Sequence, residues 1–600
     1  MANETISRNQ YDTQRYRMNR KHLYIRVLEY TDFFNESQEL DVIVVLKKYN
    51  RSDLIRIAAL LSLHYGNFEM PNQQRTLFSV ISKKHMALLN NLFKMYYEKH
   101  GLEKKSILQA STYRTSLELW RLIFSIPVEE YSNTMPIEDA ELNLFKVLLA
   151  LNEKIYKFRK NPQNTLQMDE LIFLNNYLNN DTNSYNLQSV LQPQSYYFYQ
   201  LIKFIPTNEI MKRASDKLLT DWGLSSWKQY YTTIVWLAKK TDDYFKEHQS
   251  GVPIIQLDKM AQNDEIGLLA KSLIEHLYID EDEYIPTDYC QSTNKKDVNI
   301  DYRRFRSKPF IKLKDGSGFI VTNIQLLCER LYNSLYFDFM PLINSSKGSF
   351  GFFDYNKEFV EKELFHNTIF KCLRNNVFTW PERNSHNDKG NPHEPDFYAR
   401  YPKGELLIME CKAIKMNGEI KDDADYDRLL DELHEKIVLK TRNLDPERKE
   451  FKGDSEPIGI GQIIHHINSI ETSTFEWDQN IPDQVAYYPM IVFEDIRLLQ
   501  PGLMSILNRW FYEEIRKIEY IHLTEIKCMP IIPISINTLY LCDDKIRKIG
   551  LFKMIEDYVR MYSRYQEDGS YLMDPLSDFD AYLRKYSFRK KNEITKWLLD

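Results

Sequence analysis

Cysteine is scarce in this chain and never occurs in a paired spacing. Six cysteines are scattered over 600 residues, with no Cys-X-X-Cys pair. This argues against a disulfide framework and against a cysteine-rich zinc site. No apolar run is long enough to cross a bilayer, and residues 1–8 lack the apolar core of a secretory signal. We therefore expect a soluble cytoplasmic protein with no membrane partner.

An excess of positive charge is also missing. The formal net charge is −6 and the isoelectric point is about 6.2, which argues against a protein that coats nucleic acid nonspecifically. A nucleic-acid enzyme with this balance must concentrate its basic residues locally. The chain has no GxxxxGK[ST] sequence, so a nucleotide-driven motor of the P-loop type is not predicted.

Basic residues do cluster in three places, and each cluster is a candidate phosphate-binding surface. The alternative is a solvated helix face or an oligomer contact for the first cluster, protection of an edge strand by charge for the second, and a solvated face for the third. The first cluster, near the amino terminus, interleaves arginines with tyrosines. The other two lie in the second half of the chain. The three sets are Arg8, Arg15, Arg17, Arg20, Lys21 and Arg26; Arg303, Arg304, Arg306, Lys308, Lys312 and Lys314; and Arg584, Lys585, Arg589, Lys590 and Lys591.

One stretch carries most of the chemical information. His393 to Tyr398 and Glu405 to Lys412 are two largely apolar arms, and they predict a pair of strands. The intervening Tyr401-Pro402-Lys403-Gly404 suits a type I turn. Alternation along the second arm places Glu410 and Lys412 on one face, and pairing of the arms brings Asp396 beside them.

Two acids and a lysine on one strand pair are costly unless they are paired or bound to a metal ion. Carboxylate oxygens are hard ligands that suit Mg²⁺ or Mn²⁺. Such an ion lowers the pKa of a bound water and polarises a phosphoryl oxygen. Lys412 is suited to orienting that water or to steadying charge on the phosphate.

This arrangement resembles the PD-(D/E)xK nuclease superfamily. Pro395-Asp396 matches the PD pair, and Glu410-Cys411-Lys412 matches ExK. The resemblance implies that Asp396 and Glu410 bind the metal ion and that Lys412 assists the attacking water. It covers roughly residues 350–500 and implies nothing about residues 1–290.

A helix after the motif extends the resemblance. Isoleucines spaced three and four apart between residues 460 and 470 predict an amphipathic helix. Gln462 and His466 share one face of it. RecB-like members of the superfamily carry a Gln and then a Tyr four residues later in this helix. The resemblance therefore implies that Gln462 is a site residue, whereas His466 departs from the pattern.

The superfamily also tends to place a glutamate on the helix before the PD strand. Residues 357–374 predict that helix, with Glu361 and Glu363 near its start. We take Glu361 as the third metal ligand, although the spacing does not decide between it and Glu363. Acidic residues are also favoured in a first helical turn by the helix dipole alone.

The fold expected is an α/β, restriction-endonuclease-like nuclease core, a mixed sheet flanked by helices, preceded by a large and mostly α-helical region. Polar residues 280–299 predict a linker or a long surface loop, and we place the domain boundary there. We therefore expect a helical regulatory, oligomerisation or recognition region over 1–290 and a nuclease domain over 300–600. Residues 421–444 predict one long helix ahead of Gln462, and residues 324–336 predict another.

The function that the resemblance implies is a Mg²⁺- or Mn²⁺-dependent nuclease, acting on nucleic acid and on DNA in particular. Joined to a large helical region, such a domain looks like bacterial or phage-defence nucleases of the restriction type. A homo-oligomer or an activating partner protein is compatible with this. The alternative is a partner-binding sensor or scaffold in which the nuclease fold is inactive or awaits an activator.

Overall fold

The computed structural model describes residues 25–34, 40–64, 82–100, 107–155, 165–179, 187–247, 252, 254–256, 265–287, 299–345, 350–382, 394–440 and 456–585. The chain forms two compact units. The first consists of Met1–Phe158 with Asn179–Ser349, and the second of Arg159–Leu178 with Phe350–Asp600. Both are mixtures of helix and strand, which confirms the coarse expectation that the chain combines helices with mixed sheets. No helix in the described ranges combines the length and apolarity needed to span a membrane.

The first unit is mainly helical, as expected from its apolar periodicity. Its α-helices are Val42–Leu46, Arg51–His64, Lys83–His100, Tyr113–Phe124, Ile137–Ile155, Leu187–Phe204, Glu209–Asp221, Trp227–Glu247, Glu265–Leu277, Arg303–Ser307, Ile324–Glu329 and Leu335–Ser345. Short 3₁₀ turns lie at Tyr30–Asp32, Val128–Glu130, Ile205–Thr207 and Ile300–Tyr302. The single helix expected over 324–336 is two helices, separated at residues 330–334.

Two small sheets complete the first unit. Ile25–Val27 pairs in parallel with Ile107–Gln109. A four-stranded sheet has the order Ile254–Ile255, Phe319–Val321, Phe310–Lys312, Tyr278–Asp280. Its two central strands form an antiparallel hairpin around Asp315-Gly316, a dipeptide typical of such turns.

The division between the units differs from the boundary expected at residues 290–300. Tyr278–Asp280 pairs with Phe310–Lys312, so the polar stretch between them connects two strands of one sheet. Glu281 accepts a hydrogen bond of 2.8 Å from the Lys314 amide across the same junction. A polar, turn-rich composition therefore marks a long connection inside the first unit, and residues 300–349 belong with the helical half.

The second unit is built on a sheet that has six strands in the described residues. In chain order they are β1 (Phe378–Trp380), β2 (Phe397–Arg400), β3 (Glu405–Lys412), β4 (Ala486–Phe493), β5 (Lys527–Cys528) and β6 (Ile532–Ser535). Strands β1, β2 and β3 are antiparallel neighbours. Strand β4 runs parallel to β3, and both β5 and β6 run parallel to β4. The carboxyl ends of β3, β4 and β6 therefore share one edge of the sheet.

Helices flank this sheet. Phe352–Tyr355 leads into a π-helix (Asn356–His366), which continues as α1 (Asn367–Cys372). The other main helices are α2 (Tyr426–Ile437), α3 (Ile460–Glu471), α4 (Leu503–Ile515), α5 (Ile536–Ile549), α6 (Leu551–Tyr562) and α7 (Phe579–Arg584). Thr165–Asn179 is a further α-helix, of 15 residues. Smaller elements are the short helix Gly418–Asp423, the 3₁₀ turn Ile496–Leu498, and the strand pairs Leu439–Lys440 with Glu456–Pro457 and Ser563–Tyr565 with Tyr571–Met573.

The long helix expected over 421–444 is interrupted. Ala424 adopts a left-handed conformation with φ of 51°, and the side chain of Asp425 then caps α2 by accepting a hydrogen bond from the Arg428 amide. Local capping chemistry thus restarts the helix within a continuous amphipathic pattern. Residues 441–455 lie outside the described residues.

A tight turn fixes the β2–β3 hairpin. The Gly404 amide donates a 3.1 Å hydrogen bond to the Tyr401 carbonyl, and Gly404 has φ of 79°. A Cβ there would lie 2.5 Å from the Gln484 carbonyl oxygen, so glycine is required for both conformation and space. The turn sets the register that pairs Phe397 with Met409. That register places Asp396 next to Glu410.

Candidate active site

Asp396 and Glu410 meet where β2 begins and β3 approaches its end. The Asp396 amide lies 3.4 Å from Oε1 of Glu410. In return, Oδ2 of Asp396 accepts a 2.7 Å hydrogen bond from the Cys411 amide. Glu410 is fully buried, so its carboxylate exchanges solvent for these protein contacts. The predicted juxtaposition of the two acids is present in the structure.

Lys412 bridges the two carboxylates. Its Nζ lies 3.0 Å from Oε2 of Glu410 and 3.6 Å from Oδ2 of Asp396. Burial disfavours the charged ammonium, but the carboxylates of Asp396, Glu410 and Glu361 outweigh that effect and raise the pKa of Lys412. The side chain is therefore a permanent cation and hydrogen-bond donor at neutral pH.

The pKa of Asp396 is also raised, but for a carboxyl group this favours the neutral form. Burial raises its pKa to about 7, the Glu410 carboxylate adds to the increase, and Lys412 opposes it. Three carboxylates and one ammonium share this site, so one positive charge does not neutralise it. Excess buried negative charge is the electrostatic signature of a site for a cation.

The π-helix contributes Glu361 to the same cluster. Burial raises the pKa of Glu361 well above its ordinary value, and the negative charge of Asp396 adds to this. Glu361 forms no hydrogen bond or ion pair with any described residue. Glu363, by contrast, is exposed and accepts a 3.1 Å hydrogen bond from Asn367. Of the two glutamates that the sequence left open, Glu361 is the one beside Asp396.

Helix α3 approaches the site through its first turns. Oε1 of Gln462 accepts a 2.8 Å hydrogen bond from the Gly459 amide, which caps the helix. No hydrogen bond joins Gln462 to Asp396, Glu410 or Lys412 among the described contacts. Gln462 thus lies at the entry of α3, where its carbonyl oxygen takes part in the cap.

His466 contacts one of the acids directly. Its Nε2 is 3.5 Å from Oε1 of Glu410, and the ring is 1% exposed. Phe475 and Trp477 contact the imidazole edge-on, with ring centroids 6.1 Å and 6.0 Å away. The residue that departs from the RecB-like pattern thus packs directly against a candidate metal ligand.

Two features of the site have no counterpart in the sequence expectations. Nε2 of His366 lies 2.8 Å from the main-chain carbonyl oxygen of Asp396. Beyond the end of β4, the Glu494 amide donates to the Lys412 carbonyl at 3.3 Å, and its carboxylate pairs with Lys415 at 3.0 Å. The position of Glu494, just after a buried parallel strand, is a signal that sequence reasoning could have used. A lone histidine on a helix of mixed charged and apolar residues gives no such signal.

The donor set suits a hard divalent cation, because it consists of carboxylate oxygens. Within the described ranges, however, no three His, Cys, Asp or Glu side chains are already assembled to hold a metal ion. Lys412 occupies the space between Asp396 and Glu410. A cation held by both acids would therefore take over part of the neutralising role of the ammonium, with water completing its shell as is usual for Mg²⁺.

Comparison with known proteins adds no relative. No protein-family model matches the chain, and neither a curated protein nor a solved structure shows significant similarity to it.

The basic clusters contribute less free charge than their composition suggests. In the first unit, Arg306 pairs with Glu329 at 2.8 Å, Lys314 pairs with Asp282 at 2.8 Å, and Arg304 pairs with Glu283. Much of the positive charge at 303–314 is thus neutralised within its own unit. Arg8 to Lys21 and Arg589 to Lys591 lie outside the described residues.

Proposed function

We propose that this protein is a metal-dependent nuclease that hydrolyses phosphodiester bonds, with DNA as its substrate. The observation that carries the proposal is the convergence of Asp396, Glu410 and Lys412 within 3.6 Å contacts at the end of one hairpin. A purely structural role explains this buried cluster poorly, because buried charges can often be replaced by apolar residues without loss of stability.

The order of elements supports the same proposal. The π-helix that carries Glu361 comes before β1 and β2, and Asp396 directly precedes β2. Strand β3 then carries Glu410 and Lys412, and α3 follows later, after α2. This is the order that the resemblance to the PD-(D/E)xK superfamily requires. Strand β4 then extends the sheet in parallel, so a restriction-endonuclease-like core is the fold we propose for the second unit.

Asp396 and Glu410 would hold Mg²⁺ or Mn²⁺, and Glu361 is placed to join them. When bound, the ion lowers the pKa of water and polarises a phosphoryl oxygen. Lys412 stays protonated, so it acts as a donor that orients the nucleophile and steadies phosphate charge, and it does not act as a base. The Cys411 amide holds the Asp396 carboxylate in place. In-line attack that expels the 3′ oxygen leaves a 5′ phosphate.

A bacterial or phage-defence role of the restriction type extends this proposal. It is supported by the combination of a nuclease-like unit with a large, mainly helical unit of unassigned role. In such a role the helical unit recognises a partner or assembles copies of the chain, and the nuclease acts after that event.

The test is cleavage of linear and supercoiled DNA by the full chain with Mg²⁺, Mn²⁺ or EDTA. Lys412→Ala should abolish cutting, whereas Lys403→Ala, which removes an exposed lysine from the turn of the same hairpin, should not. Cutting that needs metal and requires Lys412 supports the proposal. Absence of cutting together with absence of calorimetric Mn²⁺ binding overturns it and favours the partner-binding alternative.

A further inference from the structure

The helix that supplies Glu361 is a π-helix over its eleven residues, Asn356–His366. Such helices are rare, and where they occur they are frequently found at functional sites. Glu361 and His366 are five residues apart in it. Five residues of α-helix rotate by about 500°, which leaves two side chains roughly 140° apart. In a π-helix the hydrogen bond runs from residue i to i+5, so these two residues stack on one face.

His366 contacts Asp396 directly, because its Nε2 lies 2.8 Å from the Asp396 main-chain carbonyl oxygen. The negative charge of Asp396 also contributes to the raised pKa of Glu361. A carbonyl only accepts hydrogen bonds, so Nε2 carries the hydrogen and donates it.

Packing holds the π-helix against the start of β2. Phe365 and Phe370 contact Phe397 edge-on, with ring centroids 6.2 Å and 5.5 Å apart. Phe397 follows Asp396 directly in the chain. In the sequence, His366 lies between Phe365 and Phe370, whose rings hold the main chain at Phe397 in place. The hydrogen bond from His366 holds the adjoining peptide group, the one that begins with the Asp396 carbonyl.

We propose that His366 is a positioning residue for this site, and that the π-helix exists to place it on the same face as Glu361. The consequence for metal binding rests on the nuclease function proposed above. His366 holds the Asp396 peptide, and this orients the carboxylate toward the Cys411 amide and toward Glu410. An α-helical segment would turn either Glu361 or His366 away from Asp396.

Two substitutions distinguish loss of the hydrogen-bond donor from loss of the imidazole ring. His366→Leu removes the hydrogen bond, whereas His366→Gln keeps an N–H donor at the end of a side chain of similar reach. Amide hydrogen exchange at Cys411 is the direct readout, because that amide donates to the Asp396 carboxylate. We expect faster exchange at Cys411 in the Leu variant and near wild-type exchange in the Gln variant.

Calorimetric Mn²⁺ titration is the second readout. Removal of a group that orients a metal ligand typically lowers metal affinity about 10- to 100-fold, so we expect that loss for His366→Leu and recovery for His366→Gln. Glu361→Gln is the matched control from one π-turn away. It should weaken Mn²⁺ binding without altering exchange at Cys411, because it leaves the Asp396 peptide untouched.

The outcomes are distinguishable. Wild-type exchange at Cys411 in His366→Leu overturns the positioning role, and so does faster exchange that Gln fails to reverse. If wild type binds no Mn²⁺, the proposed metal site fails, yet exchange at Cys411 still decides whether His366 holds Asp396. If His366→Leu does not fold, His366→Asn, whose amide is too short to reach, replaces it in the comparison with His366→Gln.

Discussion

The Cys411 amide donates a 2.7 Å hydrogen bond to Oδ2 of Asp396, joining the two halves of the motif across the hairpin. The bond uses main chain from the middle of Glu410-Cys411-Lys412, so it is independent of the Cys411 side chain. It orients the Asp396 carboxylate while leaving Glu410 to face Lys412 and His466. The acidic cluster is thus held by backbone geometry, and its excess negative charge has measurable consequences.

Asp396→Asn should stabilise the metal-free protein in a pH-dependent way. The pKa of Asp396 is about 7 in the folded chain and about 3.9 when unfolded. Between these values the folded state binds the extra proton, so wild-type stability falls as pH rises from about 4 to about 7. The asparagine has no proton to lose. Its stability advantage should grow across that window, by at most about 4 kcal/mol, and level off above pH 7.

Urea unfolding in EDTA at pH 5 and pH 8 measures this difference. Asp478→Asn is a useful comparison, because Asp478 pairs with Arg400 at 2.6 Å in the same unit and its loss should destabilise the fold. A constant difference between wild type and Asp396→Asn at both pH values would show that Asp396 titrates normally.

Lys412→Ala should destabilise the metal-free protein and make it more responsive to Mn²⁺. Removing one partner from a buried charge cluster costs roughly 3 kcal/mol, since the other charges stay buried without compensation. Mn²⁺ supplies the missing positive charge. The increase in Tm on adding Mn²⁺ should therefore be larger in Lys412→Ala than in wild type, as differential scanning calorimetry can establish. An equal increase would contradict a cation site at Asp396 and Glu410.

The hairpin and its acids could be predicted because alternation and turn chemistry are local. The register follows from Gly404, and the register alone places Asp396 beside Glu410. Glu361 could not be chosen over Glu363, because the choice depends on the helix type, and the sequence pattern carries no signal that separates a π-helix from an α-helix. His366 was missed for the same reason. Residues 280–299 connect two strands of one sheet, and a polar composition alone does not separate such a surface loop from a linker between domains.

Gly459→Ala should impair both stability and activity. Gly459 has φ of 50°, and a Cβ there would lie 2.5 Å from the Ile437 carbonyl oxygen and 3.4 Å from Cε of Lys412. The substitution must shift either the end of α2 or the entry of α3, where Gln462 forms its cap. Gly316→Ala is the matched control, since Gly316 has φ of 73° and nothing lies within 4 Å of its Cβ position. In the control, only the conformational strain lowers the free energy of unfolding, by about 1 kcal/mol.

Unfolding free energies of the two alanine variants, with cleavage assays, separate these effects. We expect Gly459→Ala to lose clearly more stability than Gly316→Ala, and to lose cleavage even where it remains folded. Equal losses would mean that the space around Gly459 is easily remodelled and that Lys412 does not depend on it.

Mn²⁺ affinity should rise steeply with pH and then level off. Metal ligation needs Asp396 as a carboxylate, and its pKa of about 7 means that a proton must leave when the ion binds below that pH. Affinity should increase about tenfold per pH unit between pH 5 and pH 7, and more steeply if Glu361 ligates, because its pKa is raised as well.

Glu361→Gln should reduce that slope, whereas Glu363→Gln, on an exposed side chain, should leave it unchanged. Titration calorimetry in buffers of different ionisation enthalpy counts the released protons directly. A pH-independent affinity for wild type would place the bound ion away from Asp396.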